Sequence, residues 1–166
     1  MPINTAALKA RVVRARSAVG AGIKYRLGHG GTHPEDDLPT RTGYLDCSGF
    51  VAWVLGINRA PKAERPFWIE TTNIVRDATG KHLAFVEITK PLAGCLVCYG
   101  DSKVFGVHRE GHVGVVTEVL PGGRFMLVDC SSSKGGKTRE AIREWDRTAL
   151  FLSRKSKYVL LKQDIT

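Results

Sequence analysis

The spacing of hydrophobic residues changes from a helical period to a strand period partway along this 166-residue chain. In residues 5–19, apolar side chains recur every three or four positions, which predicts an amphipathic helix. Residues 48–55 repeat apolar side chains at helical spacing and predict a buried helix that ends at Gly56. A shorter helix is predicted over residues 67–77, closing near Gly80. The stripe of the first helix consists of Leu8, Val12, Ala15 and Val19, and the bases beside it are Lys9, Arg11, Arg14 and Arg16.

From residue 83 onward the pattern is that of short β-strands separated by turn residues. The Pro-Gly-Gly run at residues 121–123 predicts a hairpin turn, and residues 140–145 predict a helical turn. Helices first and strands second indicate an α+β fold, and the length favours one domain over residues 1–166. The predicted strands are residues 83–88, 95–99, 112–119, 124–129 and 157–162.

A glycine- and proline-rich stretch over residues 20–44 predicts a long loop of the kind that often forms part of a site. Tyr25 opens its glycine-rich part, and its hydroxyl is a candidate for such a site. The alternative is that the glycines serve only to turn the chain. They do not form a phosphate-binding loop, because no Gly-Lys-Ser/Thr follows them.

The chain is basic, with 25 Lys and Arg against 16 Asp and Glu and a net charge of +9. This charge favours an anionic partner such as nucleic acid, anionic lipid or an anionic polymer. Because the bases are scattered and no nucleic-acid-binding signature accompanies them, nucleic acid is not expected as a partner. The bases of the first helix are interpreted as a solvent-exposed face. The more specific alternative is that this helix binds a membrane or a cell wall.

No run approaches the ~18 apolar residues of a membrane span, so no membrane span is predicted. Residues 1–20 are basic and lack the apolar core of a secretory signal peptide. We therefore expect a chain that is cytoplasmic as synthesised, is delivered by another route, or lacks its leader.

The four cysteines are too few and too unevenly spaced for a disulfide framework. Cys95 and Cys98 match C-x-x-C, which raises a zinc or redox site. They fall on a predicted strand, however, where a separation of three sends the two thiols to opposite faces. No second pair with ligand spacing accompanies them. We therefore expect neither a metal nor another cofactor.

The predicted buried helix begins at a cysteine. Asp46 is a good N-cap, which places Cys47 in the first turn, where the backbone N–H groups and the helix dipole favour a thiolate. The plain alternative is a small apolar residue beside a core helix. His112 opens an apolar, β-branched strand, and a cysteine at a helix start facing such a histidine is the arrangement of a thiolate–imidazolium pair.

Four segments, in order, resemble the signature of the NlpC/P60 cysteine peptidases. They are a Tyr-x-x-Gly-x-Gly-Gly segment from Tyr25, Asp-Cys-Ser-Gly-Phe-Val at residues 46–51, Ala-Gly-Cys-Leu-Val at residues 93–97 and His-Val-Gly-Val-Val at residues 112–116. The resemblance spans roughly residues 25–132. It implies a papain-like α+β domain with the cysteine helix packed on an antiparallel sheet. It also implies cleavage of the stem peptides of bacterial peptidoglycan, often between D-glutamate and a diamino acid.

Carried over by position, the resemblance makes Cys47 the nucleophile and His112 its general base and later the acid. The family's third polar residue follows on the next strand, where this chain has Asp129. The family more often has histidine there. Asp129 is therefore either the third member of a Cys–His–Asp triad, which orients the imidazole, or a strand-end cap.

The resemblance also implies that the Tyr25 hydroxyl and the backbone N–H of Cys47 hold the scissile carbonyl. Asp46 and Ser48 flank the cysteine, where some family members bind a free L-alanine amino end. Each also suits a plain capping role. The chain departs from the family pattern at Leu27, where an aromatic residue is usual.

Three hypotheses on function follow. The first is a cysteine hydrolase that cuts peptidoglycan stem peptides through a Cys47 thioester, reaching the wall by phage lysis or specialised secretion, or recycling wall peptides in the cytoplasm. The second is a related thiol enzyme, such as an amidase, deamidase, transglutaminase-like enzyme or acyltransferase, on another substrate. The third is a wall- or protein-binding module without activity. The presence of Cys47, His112 and Asp129 together argues against this third hypothesis.

Overall fold

The structure is a computed structural model that describes residues 2–59, 69–132 and 140–165. In these ranges, four α-helices accompany a six-stranded antiparallel sheet, so the α+β class predicted from the sequence is confirmed. None of the helices described is both long enough and apolar enough to cross a membrane.

The helices are α1 Thr5–Ser17, α2 Cys47–Val54, α3 Thr71–Arg76 and α4 Thr148–Ser153, with a π-helical turn at Asp77–Lys81. The strands are β1 Lys24–Tyr25, β2 Tyr44–Leu45, β3 Phe85–Ile88, β4 Leu96–Tyr99, β5 Ser102–Val104, β6 Val107–Arg109, β7 His112–Val119, β8 Phe125–Cys130, β9 Ile142–Asp146 and β10 Lys157–Leu161. Short 3₁₀ turns occupy Pro121–Gly123 and Lys162–Asp164.

The main sheet has the order β3-β10-β4-β7-β8-β9, and every pair of neighbours is antiparallel. All five predicted strands are present, and β7 has the predicted bounds. The turn at Pro121–Gly123 joins β7 to β8, as the sequence predicts. His112 therefore opens a central strand and lies at one end of the sheet.

Two apolar clusters cover the two faces of this sheet. One contains the buried side chains of α2, and the other contains Phe125 and Phe151. β4 contributes to both, since Cys98 packs with α2 and Val97 packs in the second cluster, together with Cys95 just before the strand. The two thiols thus lie on opposite faces, as their spacing on a strand predicts.

Residues 142–146 form a strand, and the predicted helical turn at 140–145 is wrong. β9 pairs with β8 along its full length. Its side chains alternate, so that Glu144 accepts a hydrogen bond from Thr117 while Trp145 points to Asp129. The open edge of β8 offers N–H and C=O groups to this segment, and that pairing prevails over the local helical tendency.

The predicted apolar stripe of α1 is confirmed in part. Leu8 and Ala15 are buried as predicted, but Arg11 is buried beside them, and Val19 lies beyond the helix and is 40% exposed. The Arg11 guanidinium donates to the Asp164 carboxylate, with Nη2 2.7 Å from Oδ1. Arg11 is therefore not part of a solvated face, because a carboxylate distant in the chain makes its burial tolerable.

The predicted helix at 67–77 is confirmed only in part, and residues 67 and 68 lie outside the described residues. α3 begins at Thr71, and the helical path continues beyond Asp77 to Lys81. It ends at Lys81, near Gly80 as predicted, and the C-cap residue His82 has a left-handed φ of 49°.

Candidate active site

The amino end of α2 carries Cys47 as its first residue. Asp46 has extended backbone angles and accepts a hydrogen bond from the Gly49 N–H at 2.7 Å, so it is the predicted N-cap. The N–H groups of Cys47 and Ser48 have no partner within the helix, as in any first turn, and the positive end of the helix dipole lies there.

The Asp46 carboxylate also ties the surrounding loops to this helix end. Oδ2 accepts the Gly28 N–H at 2.7 Å, and Oδ1 accepts the Arg59 guanidinium at 2.6 Å. The Ser48 hydroxyl donates to Oδ1 at 3.3 Å. Asp46 and Ser48 are almost fully buried. Of the two roles predicted for Asp46, this geometry favours capping, because donors of the protein itself already use both oxygens.

The glycine loop packs directly on the first turn of α2. A Cβ on Gly31 would stand 2.5 Å from the Gly49 carbonyl oxygen, and a Cβ on Gly49 would stand 2.5 Å from that of His29. Gly31 also has a left-handed φ of 73°. These glycines therefore serve a close approach of two backbones beside the cysteine, in addition to turning the chain.

Tyr25 is brought to the cysteine by a short parallel ladder. β1 pairs with β2 so that Tyr25 lies opposite Leu45, two residues before Cys47. The tyrosine is half-buried at the cleft described below. Burial, together with the neighbouring Cys47 and Asp46, raises the pKa of Tyr25 above its ordinary value. Its hydroxyl therefore stays protonated and remains a hydrogen-bond donor.

His112 meets both Cys47 and Asp129. Its Nε2 lies 2.6 Å from Asp129 Oδ2. Because Nε2 is engaged there, Nδ1 is the ring nitrogen left for the Cys47 thiol. Burial opposes the charged imidazole, but hydrogen bonds to Asp129 and Cys47 raise the pKa of His112 to about 9. Cys47, His112 and Asp129 thus lie together, and their role as a catalytic triad stays a prediction.

Gly114 makes room for this meeting on the sheet. It pairs with Asp129 across β7 and β8, and a Cβ on Gly114 would stand 3.2 Å from the Asp129 Cβ and 2.9 Å from Leu127. Asp129 and His112 thus lie diagonally on one face of two neighbouring strands. A larger side chain at Gly114, two residues after His112, would therefore crowd Leu127 and Asp129.

Asp129 is fully buried and receives two further donors that the sequence did not predict. Trp145 Nε1 donates to Oδ1 at 2.9 Å, and Arg147 Nη1 donates to Oδ2 at 2.9 Å. Burial alone disfavours the carboxylate, but the hydrogen bond from His112 and the charges of His112 and Arg147 hold the pKa of Asp129 below its usual range. Asp129 is therefore an ionised partner of His112.

Two aromatic rings pack near the imidazole of His112. The Phe151 ring centroid lies 5.8 Å from that of His112, and the Tyr99 centroid lies 6.4 Å away. Phe151 comes from α4, an element that the sequence pattern did not predict. These rings add apolar contacts to the buried imidazole.

Cys47 is 5% exposed, and that small area opens onto a cleft of about 280 Å³. Tyr25, Asp46 and Ser48 also line the cleft. The start of α3 and the β5–β6 hairpin with its flanking residues also line the cleft, and the sequence analysis assigned neither element to the site. The wall residues with ionisable side chains are Glu70, Asp101, His108 and Glu110.

The hairpin is fixed at its base. Asp101 Oδ1 accepts the Gly111 N–H at 2.7 Å, and Oδ2 lies 3.2 Å from His108 Nε2. His108 thus lines the cleft, although the sequence singled out only His112. His29 lies in a separate hollow, with its ring 6.2 Å from that of Tyr44.

The other thiols are enclosed. Cys95, Cys98 and Cys130 are fully buried, and all four cysteines are free. Burial raises the pKa of Cys95 to about 12 and raises the pKa values of Cys98 and Cys130 as well. Within the part of the chain that the structure describes, no group of three or more His, Cys, Asp or Glu side chains is placed to hold a metal ion.

No protein-family model matches this chain, and a search of curated proteins gives no match either. The resemblance to the NlpC/P60 peptidases therefore stays a prediction. What the described residues do provide is a thiol, an imidazole and a carboxylate in series, with a tyrosine hydroxyl and a helix end beside them. This set suits attack on an acyl carbon followed by proton transfer to a leaving group.

Proposed function

We propose that this chain is a single-domain cysteine hydrolase of the NlpC/P60 type, with a papain-like fold. Its substrates are the stem peptides of bacterial peptidoglycan, which it cuts between D-glutamate and a diamino acid. The observation that carries the proposal is that His112 interacts with both Cys47 and Asp129, and that Cys47 lines a cleft.

The chemistry proceeds in two halves. In the first, the Cys47 thiolate attacks the amide carbon, and the oxyanion accepts hydrogen bonds from the Cys47 N–H and the Tyr25 hydroxyl. The His112 imidazolium then gives its proton to the leaving amine as the C–N bond breaks, which leaves a thioester. In the second half, neutral His112 takes a proton from water, hydroxide attacks the thioester, and the C–S bond breaks to restore the ion pair.

The charges of the cleft and of the whole chain support a wall peptide as the substrate. Glu70 and Glu110 line the same cleft as the cysteine, and carboxylates there suit the amino groups that a diamino acid carries. The net charge of +9 favours association with an anionic wall polymer.

Product analysis of digested peptidoglycan tests this function. We expect the wild-type chain to release stem-peptide fragments with a new D-glutamate carboxyl end, detected by mass spectrometry, and Cys47→Ala to release none. Intact stem peptides with both proteins would overturn the proposal. Cleavage of a simple amide or acyl transfer by the wild type in that case would instead identify a related thiol enzyme.

A further inference from the structure

Asp129 holds two cations through one oxygen. His112 Nε2 lies 2.6 Å from Oδ2, and Arg147 Nη1 lies 2.9 Å from the same atom. Trp145 occupies the other oxygen, with its Nε1 2.9 Å from Oδ1. The Asp129 side chain is fully buried, so these donors take the place of water as hydrogen-bond partners of its carboxylate.

The arrangement is built by β9 and the residue that follows it. Asp129 pairs with Arg143, and Trp145 is the next residue on the same face of β9. Arg147 precedes α4, and its guanidinium lies 4.3 Å from the Trp145 ring centroid. The indole therefore fixes the plane of the guanidinium as well as one oxygen of the carboxylate. Only 22% of the Arg147 side chain is exposed.

We infer that Arg147 is a positioning residue of the reactive centre, which competes with His112 for Asp129 Oδ2 and thereby limits how tightly the imidazole holds its proton. A carboxylate that paired with His112 alone would favour the imidazolium more strongly. The proton must leave His112 when the amine departs, so a proton held too tightly slows this step.

Several charged or titratable groups bear on His112 besides Arg147. Cys47 faces it from α2, Tyr99 from β4 and Asp129 from β8. Arg154, which follows α4, lies 5.9 Å from the Tyr99 ring centroid and acts through that neighbour. Among these, Arg147 shares the very oxygen that His112 uses, so its removal has the most direct effect on the imidazole.

The test uses the full chain and needs no peptide substrate. The rate of Cys47 alkylation by iodoacetamide and the NMR titration of His112 are followed from pH 5 to 11 for the wild type, Arg147→Met and Arg147→Lys. We expect Arg147→Met to move the His112 titration upward by about one pH unit. Arg147→Lys keeps the charge and should stay close to the wild type.

Arg124→Met is the matched control, because it removes an equal charge from an exposed arginine that pairs with Asp146 beside Trp145. It should leave the titration unchanged. Where Arg147→Met does not fold, Arg147→Gln decides, since it keeps an amide donor and loses the charge. An unmoved titration in the folded Arg147 variant, or an equal movement in Arg124→Met, would overturn the inference. The inference rests on the reactive pair of the proposed function but not on its substrate, so failure of peptidoglycan cleavage alone would leave it standing.

Discussion

The charge state of His112 depends on side chains that come from two other elements, α2 and β8. Asp129 and Cys47 favour the imidazolium strongly enough to outweigh burial, and the pKa of His112 rises to about 9. Because this folded-state pKa lies above the ordinary value of 6.5, the charged histidine contributes stability that is fully present below about pH 6.5. That contribution is lost as the pH rises through about 9.

Substitution of the carboxylate tests its role in catalysis. Asp129→Asn removes the charge that favours the imidazolium, so the alkaline limit of kcat/KM should move to lower pH, and kcat should fall by about 10²–10⁴-fold. Peptide cleavage measured across pH checks both effects. Glu87→Gln, on the exposed side of β3, is the control and should leave the profile unchanged. A wild-type profile in Asp129→Asn would mean that the carboxylate is only a cap.

The side chains that lie together in the structure could be picked out from the sequence only where the signal is local. Cys47 follows an N-cap, and His112 and Asp129 lie near strand ends 17 residues apart, so short motifs point to them. Trp145 and Arg147 reach the carboxylate only through the pairing of β8 with β9. No local sequence pattern indicates such a contact, so neither Trp145 nor Arg147 was predicted to reach Asp129.

At the scale of elements, long periodic segments were predictable and short ones were not. β7 has the predicted bounds, and α2 ends within two residues of the prediction. The β5–β6 hairpin has strands of three residues each, which is too short for a period to be visible. β9 was misread as helical because its stability comes from β8 and not from its own sequence.

A pair of glycine variants tests the contact between the glycine loop and α2. Gly31→Ala should destabilise the fold by about 1–2 kcal/mol through its left-handed backbone, and by a further ~1–3 kcal/mol through the clash with Gly49. Gly43→Ala is the matched control, since its φ is 76° but no atom stands within 4 Å of the added Cβ. Gly43→Ala should lose only the ~1–2 kcal/mol that comes from the left-handed backbone. Urea unfolding measures both values, and equal losses would show that the close approach contributes nothing.

At the scale of the whole molecule, one buried ion pair joins the beginning of the chain to its end. Arg11 of α1 and Asp164 make two hydrogen bonds, and the Leu161 N–H also donates to Asp164 at 3.1 Å. Neither residue was predicted to be buried, because the partner lies 153 positions away. The pair joins α1 to the 3₁₀ turn that follows β10.

Breaking this pair should be costly. Asp164→Ala leaves a buried guanidinium without its carboxylate and should lower the free energy of unfolding by roughly 3–5 kcal/mol. The double variant Arg11→Met with Asp164→Ala should recover part of that loss. Glu87→Gln breaks an exposed pair with Lys157 and should cost less than about 1 kcal/mol. Chemical denaturation gives all three values, and equal losses for the buried and exposed pairs would contradict the account.

In the proposed reaction, Cys47 forms a covalent acyl-enzyme with a peptidoglycan stem peptide. Rapid-quench mass spectrometry of the intact protein mixed with a defined muropeptide detects this species directly. We predict a transient increase equal to the acyl half of the peptide, located on the Cys47 fragment and absent in Cys47→Ala. Product formation by Cys47→Ala, or an adduct on another residue, would contradict it.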